Sequence, residues 1–109
     1  MEQDLIYPKV EPARSEIDSL AGATLLELGT PWCGYCQAAQ PLIQAELAAH
    51  PGVRHVKIED GKGRRLGRSY QVQLWPTLIF LEAGNEVSRL IRPTDVREIR
   101  AALDRIAPS

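Results

Sequence analysis

Residues 23 to 36 read Ala23-Thr24-Leu25-Leu26-Glu27-Leu28-Gly29-Thr30-Pro31-Trp32-Cys33-Gly34-Tyr35-Cys36, and the fold is legible outward from them. Ala23 to Leu28 is a nearly continuous apolar run that stops at Gly29, the pattern of a central strand covered on both faces. From Gly34 to Ala49 the spacing turns helical. Cys36, Ala39, Ile43 and Leu47 fall on one stripe, and Pro41 lies inside the helix as a kink. Cys36 is thereby predicted to point inward, with Cys33 at the mouth of the helix. Unpaired N–H groups and aligned peptide dipoles at a helix N-terminus favour an anion, so Cys33 is expected to ionise readily. Thiols so placed titrate at about 3.5–7.5, against about 8.5 for a free one.

These two cysteines are the only ones in 109 residues. A chain of that length buries roughly 60–70% of its unfolded surface in one core, so a single domain over residues 1–109 is expected, without need of a staple. A loop as short as that from Cys33 to Cys36 also removes little entropy from the unfolded chain. The pair is therefore chemical rather than structural. Net charge is −1 with 25% charged residues, which gives no long-range field for nucleic acid or an anionic membrane. No apolar run approaches the ~20 residues of a membrane span. The N-terminus lacks the basic and apolar regions of a signal peptide, so with Met1 as the native start a cytoplasmic protein is expected. Thiols are kept reduced there, and a close pair is catalytic or metal-binding. A monomer is expected.

Along the rest of the chain, short apolar runs alternate with helical stripes, which is α/β organisation. Leu5-Ile6-Tyr7 reads as a short edge strand, and Glu11 to Leu20, opened by Pro12 and ended by Gly22, as a weakly patterned helix. His50-Pro51-Gly52 stops the dithiol helix. Val53 to Ile58 is a second strand, and Lys62 to Tyr70 a short basic helix broken by Gly67. Thr77 to Leu81 is the clearest strand. Ala83-Gly84-Asn85 turns it into a return strand over Glu86 to Ile91. A final helix is capped at Thr94 or Asp95 and carries the core stripe Val96, Ile99, Leu103 and Ile106.

A thiolate that attacks a disulfide forms a mixed disulfide, which a second nearby thiol resolves; Cys33 and Cys36 supply both parts. Cys36 must lose a proton to act. Glu27, on a strand otherwise made of leucines, would be stripped of water there and fitted to accept and return that proton, unless it lies near enough to the strand end to reach solvent.

Trp32-Cys33-Gly34-Tyr35-Cys36 after the strand end, followed by Pro41, Trp75-Pro76-Thr77 and Gly84, resembles the thioredoxin family over nearly the whole chain. The resemblance implies a thioredoxin-like fold, a central mixed β-sheet flanked by helices on both faces. It implies a thiol–disulfide oxidoreductase that reduces, forms or isomerises protein disulfides, with another protein or a small thiol as electron donor and no cofactor. By the same resemblance Glu27 is the family's buried acid, Lys57 the lysine near it, and Pro76 the cis-proline against the active-site pair. Trp32, Gly34, Tyr35, Trp75, Pro76 and Thr77 would frame the substrate groove. Trp75 stands where the family's backbone pairs with extended substrate, and its bulk is expected to narrow that groove. Two further departures stand out. Tyr35 replaces the proline that thioredoxins proper carry between the cysteines, giving Cys-Gly-Tyr-Cys as in bacterial disulfide isomerases. Arg92 stands where thioredoxins usually place a glycine in the substrate-facing loop, adding charge beside the groove.

The sequence leaves three rival readings. Cys33-x2-Cys36-x13-His50-x4-His55 approaches a zinc-finger spacing, but Pro51-Gly52 breaks the chain between the histidines, so no zinc site is expected. His50 reads instead as a helix-end residue and His55 as a solvent-facing strand residue. Lys62, Arg64, Arg65 and Arg68 could meet an anionic partner, but clustered basic residues on a short helix are usually a solvated face. A thioredoxin-fold adaptor without turnover is the third alternative.

Overall fold

The computed structural model describes residues 7–108. Its elements are α1 (Arg14–Asp18), β1 (Ala23–Gly29), α2 (Gly34–Ala48), β2 (Arg54–Glu59), α3 (Arg65–Ser69), β3 (Thr77–Glu82), β4 (Asn85–Ile91) and α4 (Val96–Ile106). The strands form one mixed sheet in the order β2-β1-β3-β4. β1 runs parallel to β2 and antiparallel to β3, and β3 pairs antiparallel with β4. The expected edge strand at Leu5-Ile6-Tyr7 falls largely outside the described residues; Tyr7 itself is buried and not in a strand.

Every residue of β1 is buried, as its unbroken apolar run requires. Alternation then sorts its side chains. Ala23 and Leu25 join Leu78, Phe80, Ile43, Ile99 and Leu103 in a core under α2 and α4. Leu26 and Leu28 join Ile79, Leu81, Ile17, Ile58 and Leu66 in a second core under α1 and α3. Glu27 has the parity of Leu25, so it faces α2 and the dithiol. The expected stripe Cys36, Ala39, Ile43 is buried on α2, and Pro41 sits inside that helix on its exposed side.

Two boundaries differ from expectation, and a third is decided between its two candidates. The first helix covers only Arg14–Asp18, because Ala13 stays extended and Glu11 turns away to accept from the N–H groups of Arg65 (3.2 Å) and Leu66 (2.8 Å). Its carboxylate thus satisfies the free donors at the start of α3. Gly67 does not break the basic helix. It lies buried within α3 because the Asp60 carboxylate packs where a side chain would otherwise stand. Asp95, rather than Thr94, caps α4 by accepting from the Arg97 N–H at 2.9 Å.

β3 and β4 are joined by a two-residue turn, Ala83 and Gly84, both at positive φ (51° and 81°). That is the twist a tight hairpin favours. Gly84 also lies so close to the Asp18 carbonyl that any Cβ would meet the backbone of α1. Gly84→Ala is therefore expected to cost at least about 2 kcal/mol, from the left-handed conformation and the backbone clash together. Thermal unfolding should fall by roughly 8 °C or more, and an unchanged midpoint would refute this account of the hairpin.

Candidate active site

Cys33 is the N-cap of α2, with extended backbone (φ −82°, ψ 122°), and its Sγ accepts from the Cys36 N–H at 3.3 Å. A sulfur in that position meets the positive end of the helix. Cys36, one turn in, is fully buried, while Cys33 keeps an 8% opening to solvent. Both thiols are free. Burial, with the neighbouring Cys33 sulfur as the next contribution, pushes the Cys36 thiol up to about 12.

Beneath the dithiol lies a polar cluster on the α2 face of the sheet. Glu27 is fully buried. Its Oε2 accepts from Gln40 Nε2 at 2.6 Å, and its Oε1 lies 2.7 Å from His55 Nε2. Gln40 also donates to the Cys36 carbonyl at 3.1 Å and accepts from Lys57 Nζ at 3.2 Å. Lys57 lies 4.5 Å from the Tyr7 ring centroid, and Glu27 and Lys57 are register partners across β1 and β2. The Tyr7 hydroxyl is buried at the end of β1; burial first, then the nearby Glu27 and cysteines, hold its proton well above the ordinary phenol range.

Glu27 thus does not reach water at a strand end, and Lys57 is in its vicinity as expected. His55, read from the sequence as solvent-facing, instead turns its ring to Glu27. Strand parity carried the signal: residues 55 and 57 share a face, so a Lys57 under α2 places His55 there too. Gln40 lies one turn beyond Cys36 on the inward side of α2, a position the helical stripe makes readable. Tyr7 and its approach to the dithiol left no local signal. His50 is a helix-end residue as expected: its Nδ1 lies 2.7 Å from the Glu46 carbonyl and its Nε2 2.6 Å from Asp104. Asp104 first, then that carbonyl, raises its affinity for a proton. The two histidines therefore serve different partners, and no group of three or more metal-ligating side chains occurs among the described residues.

Around Cys33, the Trp75–Pro76 bond is cis and the Trp75 carbonyl lies 3.8 Å from Cys33 Sγ. Trp32 is 70% exposed and meets Trp75 edge to face, ring centroids 5.6 Å apart. Trp75 Nε1 donates to Asp60 Oδ2 at 2.9 Å, which fixes the indole. Gly34 and Tyr35 are exposed on the first turn of α2. Thr77, expected on the rim, is 1% exposed and lies beneath it. Its hydroxyl donates to the Leu74 carbonyl at 2.7 Å and braces the turn that presents Trp75. Arg92 has φ 51°, the left-handed conformation that favours the family's glycine. Its Nε donates to the Trp75 carbonyl at 2.9 Å, and its guanidinium lies 4.0 Å over the Tyr35 ring.

A reduced cysteine pair at a helix N-terminus, one thiol with a narrow opening to solvent and one fully buried on the side of a buried carboxylate, on this sheet, defines a thiol–disulfide exchange protein. The comparisons agree. The family model Thioredoxin matches residues 9–105. A thioredoxin of Chlamydia trachomatis is 35% identical over 75 residues, covering 68% of this chain and 74% of that protein. A thioredoxin of Chlamydia pneumoniae is 32% identical over 71 residues, covering 65% and 70%. The structure of thioredoxin 2 from Pseudomonas aeruginosa PAO1 in its reduced form is 53% identical, with TM-score 0.83 over 92% of this chain and 93% of that one. The chain belongs to the thioredoxin family and is a thiol–disulfide oxidoreductase with a Cys-x-x-Cys dithiol. Protein disulfides as substrates and a reductase as electron donor come with that membership.

Because Cys36 holds its proton far above the ordinary thiol range, the folded reduced protein binds that proton more tightly than the unfolded chain does. This stability is fully present below about pH 8.5, the unfolded thiol value, and is lost as pH rises toward about 12. Denaturant unfolding of the reduced protein should show a loss of about 2 kcal/mol between pH 8 and pH 10 from this thiol. Cys36→Ala should remove most of that slope, leaving the smaller part due to the buried Tyr7 hydroxyl, and an identical slope in the variant would refute the burial account.

Proposed function

We propose that Cys33 is the attacking thiolate and Cys36 the resolving thiol of a dithiol that reduces protein disulfides. The observation that supports this most directly is the asymmetry of the pair: Cys33 has the helix N-terminus and the opening to solvent, whereas Cys36 has neither. The Cys33 thiolate attacks one sulfur of the substrate disulfide, the other sulfur leaves as a thiolate, and a mixed disulfide forms. Cys36 then gives up its proton and attacks Cys33 Sγ. The Cys33–Cys36 bond forms as the second substrate thiolate leaves, so two electrons pass from the dithiol to the substrate. The reductase later returns them.

Glu27 is the group that takes the Cys36 proton. It is buried on the Cys36 side of the sheet, and Gln40 and Lys57 hold it in place. His55, whose side chain is 20% exposed, links the carboxylate to the outside. Lys57, Gln40 and His55 are positioning residues. Trp32, Gly34, Tyr35, Trp75, Pro76 and Arg92 frame the groove, with Thr77 supporting it from below. The whole chain acts as one domain, as a monomer in the cytoplasm. No helix among the described residues is long and apolar enough to cross a membrane.

Insulin reduction with a thiol donor tests the assignment. Cys33→Ser should abolish turnover, and Cys36→Ser should accumulate a mixed disulfide visible by mass. Glu27→Gln should slow turnover about tenfold or more near pH 7, with the deficit shrinking as pH rises and hydroxide replaces the base. Equal turnover by Cys33→Ser would overturn the role of the pair. A redox titration against glutathione is expected to place the couple nearer the −270 mV typical of thioredoxin than about −120 mV, the range of a strong oxidant.

A further inference from the structure

The charge around the mouth of the site does not follow the charge of the chain. The whole protein carries a net −1. Yet on one side of Trp75 stands Arg92. Its Nε is engaged with the Trp75 carbonyl and its face with Tyr35, but its two terminal nitrogens have no hydrogen bond or ion pair among the described residues. Those nitrogens are the part of a guanidinium that grips a carboxylate in a fork. Arg92 is held there in a left-handed backbone conformation that costs a non-glycine residue about 1 kcal/mol, with its own N–H bonded to the Pro76 carbonyl at 2.9 Å.

On the other side of Trp75 lies a cleft of about 460 Å³, whose lining includes Lys62, Arg64, Arg68, Gln71 and the indole itself. Lys62 and Arg68 are exposed. The carboxylate in the lining, Asp60, is 9% exposed and already accepts from Trp75 Nε1. The basic stretch of α3 and the loop before it is therefore not merely a solvated face, because the fold brings it to a cleft shared with Trp75, the residue whose carbonyl faces Cys33. Trp75, whose carbonyl lies 3.8 Å from Cys33 Sγ, thus has one cation at that carbonyl and three more in the cleft it lines.

We propose that this rim selects protein disulfides whose cysteine is flanked by acidic side chains, with Arg92 gripping a carboxylate on one side and the Lys62, Arg64 and Arg68 cleft receiving acidic residues on the other. This rests on the assignment of Cys33 as the attacking thiolate. Arg92 is a specificity residue rather than part of the chemistry. Its hydrogen bond to the Trp75 carbonyl sits where an extended substrate would pair its backbone, so the incoming carboxylate draws the guanidinium off that oxygen as the strand docks. Tyr35 supplies the surface on which the guanidinium rests in the free protein.

The test uses three peptides, each with one intramolecular disulfide, differing only in whether the residues beside the attacked cysteine are Asp, Asn or Lys, and glutathione disulfide as a fourth substrate. For the wild type at low salt, kcat/KM should fall in the order Asp, Asn, Lys, with Asp over Asn about three- to tenfold. The ratio should collapse toward one at 0.5 M salt, where charges are screened within a few Å. Arg92→Gln, and separately the triple change K62Q/R64Q/R68Q, should each lower the Asp-to-Asn ratio, while Arg92→Lys should keep part of it. Equal rates on the Asp, Asn and Lys peptides would overturn the proposal, as would a ratio untouched by both sets of substitutions. A preference for glutathione disulfide with none for the Asp peptide would overturn it too. Absence of turnover on every disulfide would instead refute the dithiol assignment.

Discussion

The first turn of α2 stands directly on the end of β1, and it can do so because Gly29 has no side chain. A Cβ at Gly29 would lie 2.6 Å from Cys36 Sγ and 3.1 Å from the Tyr7 hydroxyl. With that space open, the buried thiol settles over the strand. Cys33 is then carried to the helix N-terminus, and Glu27, two residues back on the same face, comes beneath the pair. Both the polarity of the thiols and the placing of the acid descend from this contact. The opposite end of α2 is held by Glu46, which is 5% exposed and forms a forked pair with Arg100 of α4.

A carboxylate with no solvent exposure in a strand of leucines is expensive unless its oxygens are satisfied. Glu27 is satisfied by Gln40 on one oxygen and His55 on the other, with Lys57 closing the cluster through Gln40. The same hydrogen bonds tie β1, β2 and α2 together below the dithiol. Structure and chemistry share these residues, so a change in any of them alters both the packing of α2 and the fate of the Cys36 proton.

The rim is built differently, by side chains stacking on one another rather than by a sheet. Trp32 meets Trp75, Trp75 is pinned by Asp60, Asp60 packs on Gly67, and Arg92 bridges Trp75 and Tyr35. Each of the three departures from the family's usual residues, Tyr35, Trp75 and Arg92, belongs to this chain of contacts. They form one arrangement rather than three separate exceptions, since the Arg92 guanidinium needs both the carbonyl and the ring.

From the residue order alone came the strands of the sheet core, the dithiol helix with Cys36 inward and Cys33 outward, the hairpin and the final helix, because periodicity of two or near four survives in sequence. The acid behind the dithiol was readable for the same reason. The partners of that acid were less so. His55 could be placed only by carrying the parity of Lys57 back along β2, and Tyr7 reaches Cys36 across a separation that no local pattern spans. Gly67 looked like a helix break because glycine ordinarily is one; the Asp60 carboxylate that requires it comes from another segment. Thr77 looked like a groove residue because its neighbours are, yet strand alternation turned it beneath the rim. The reaction could thus be named from a short contiguous stretch, whereas the lining of the groove, assembled from residues 32 to 92, exists only once the sheet has brought those segments together.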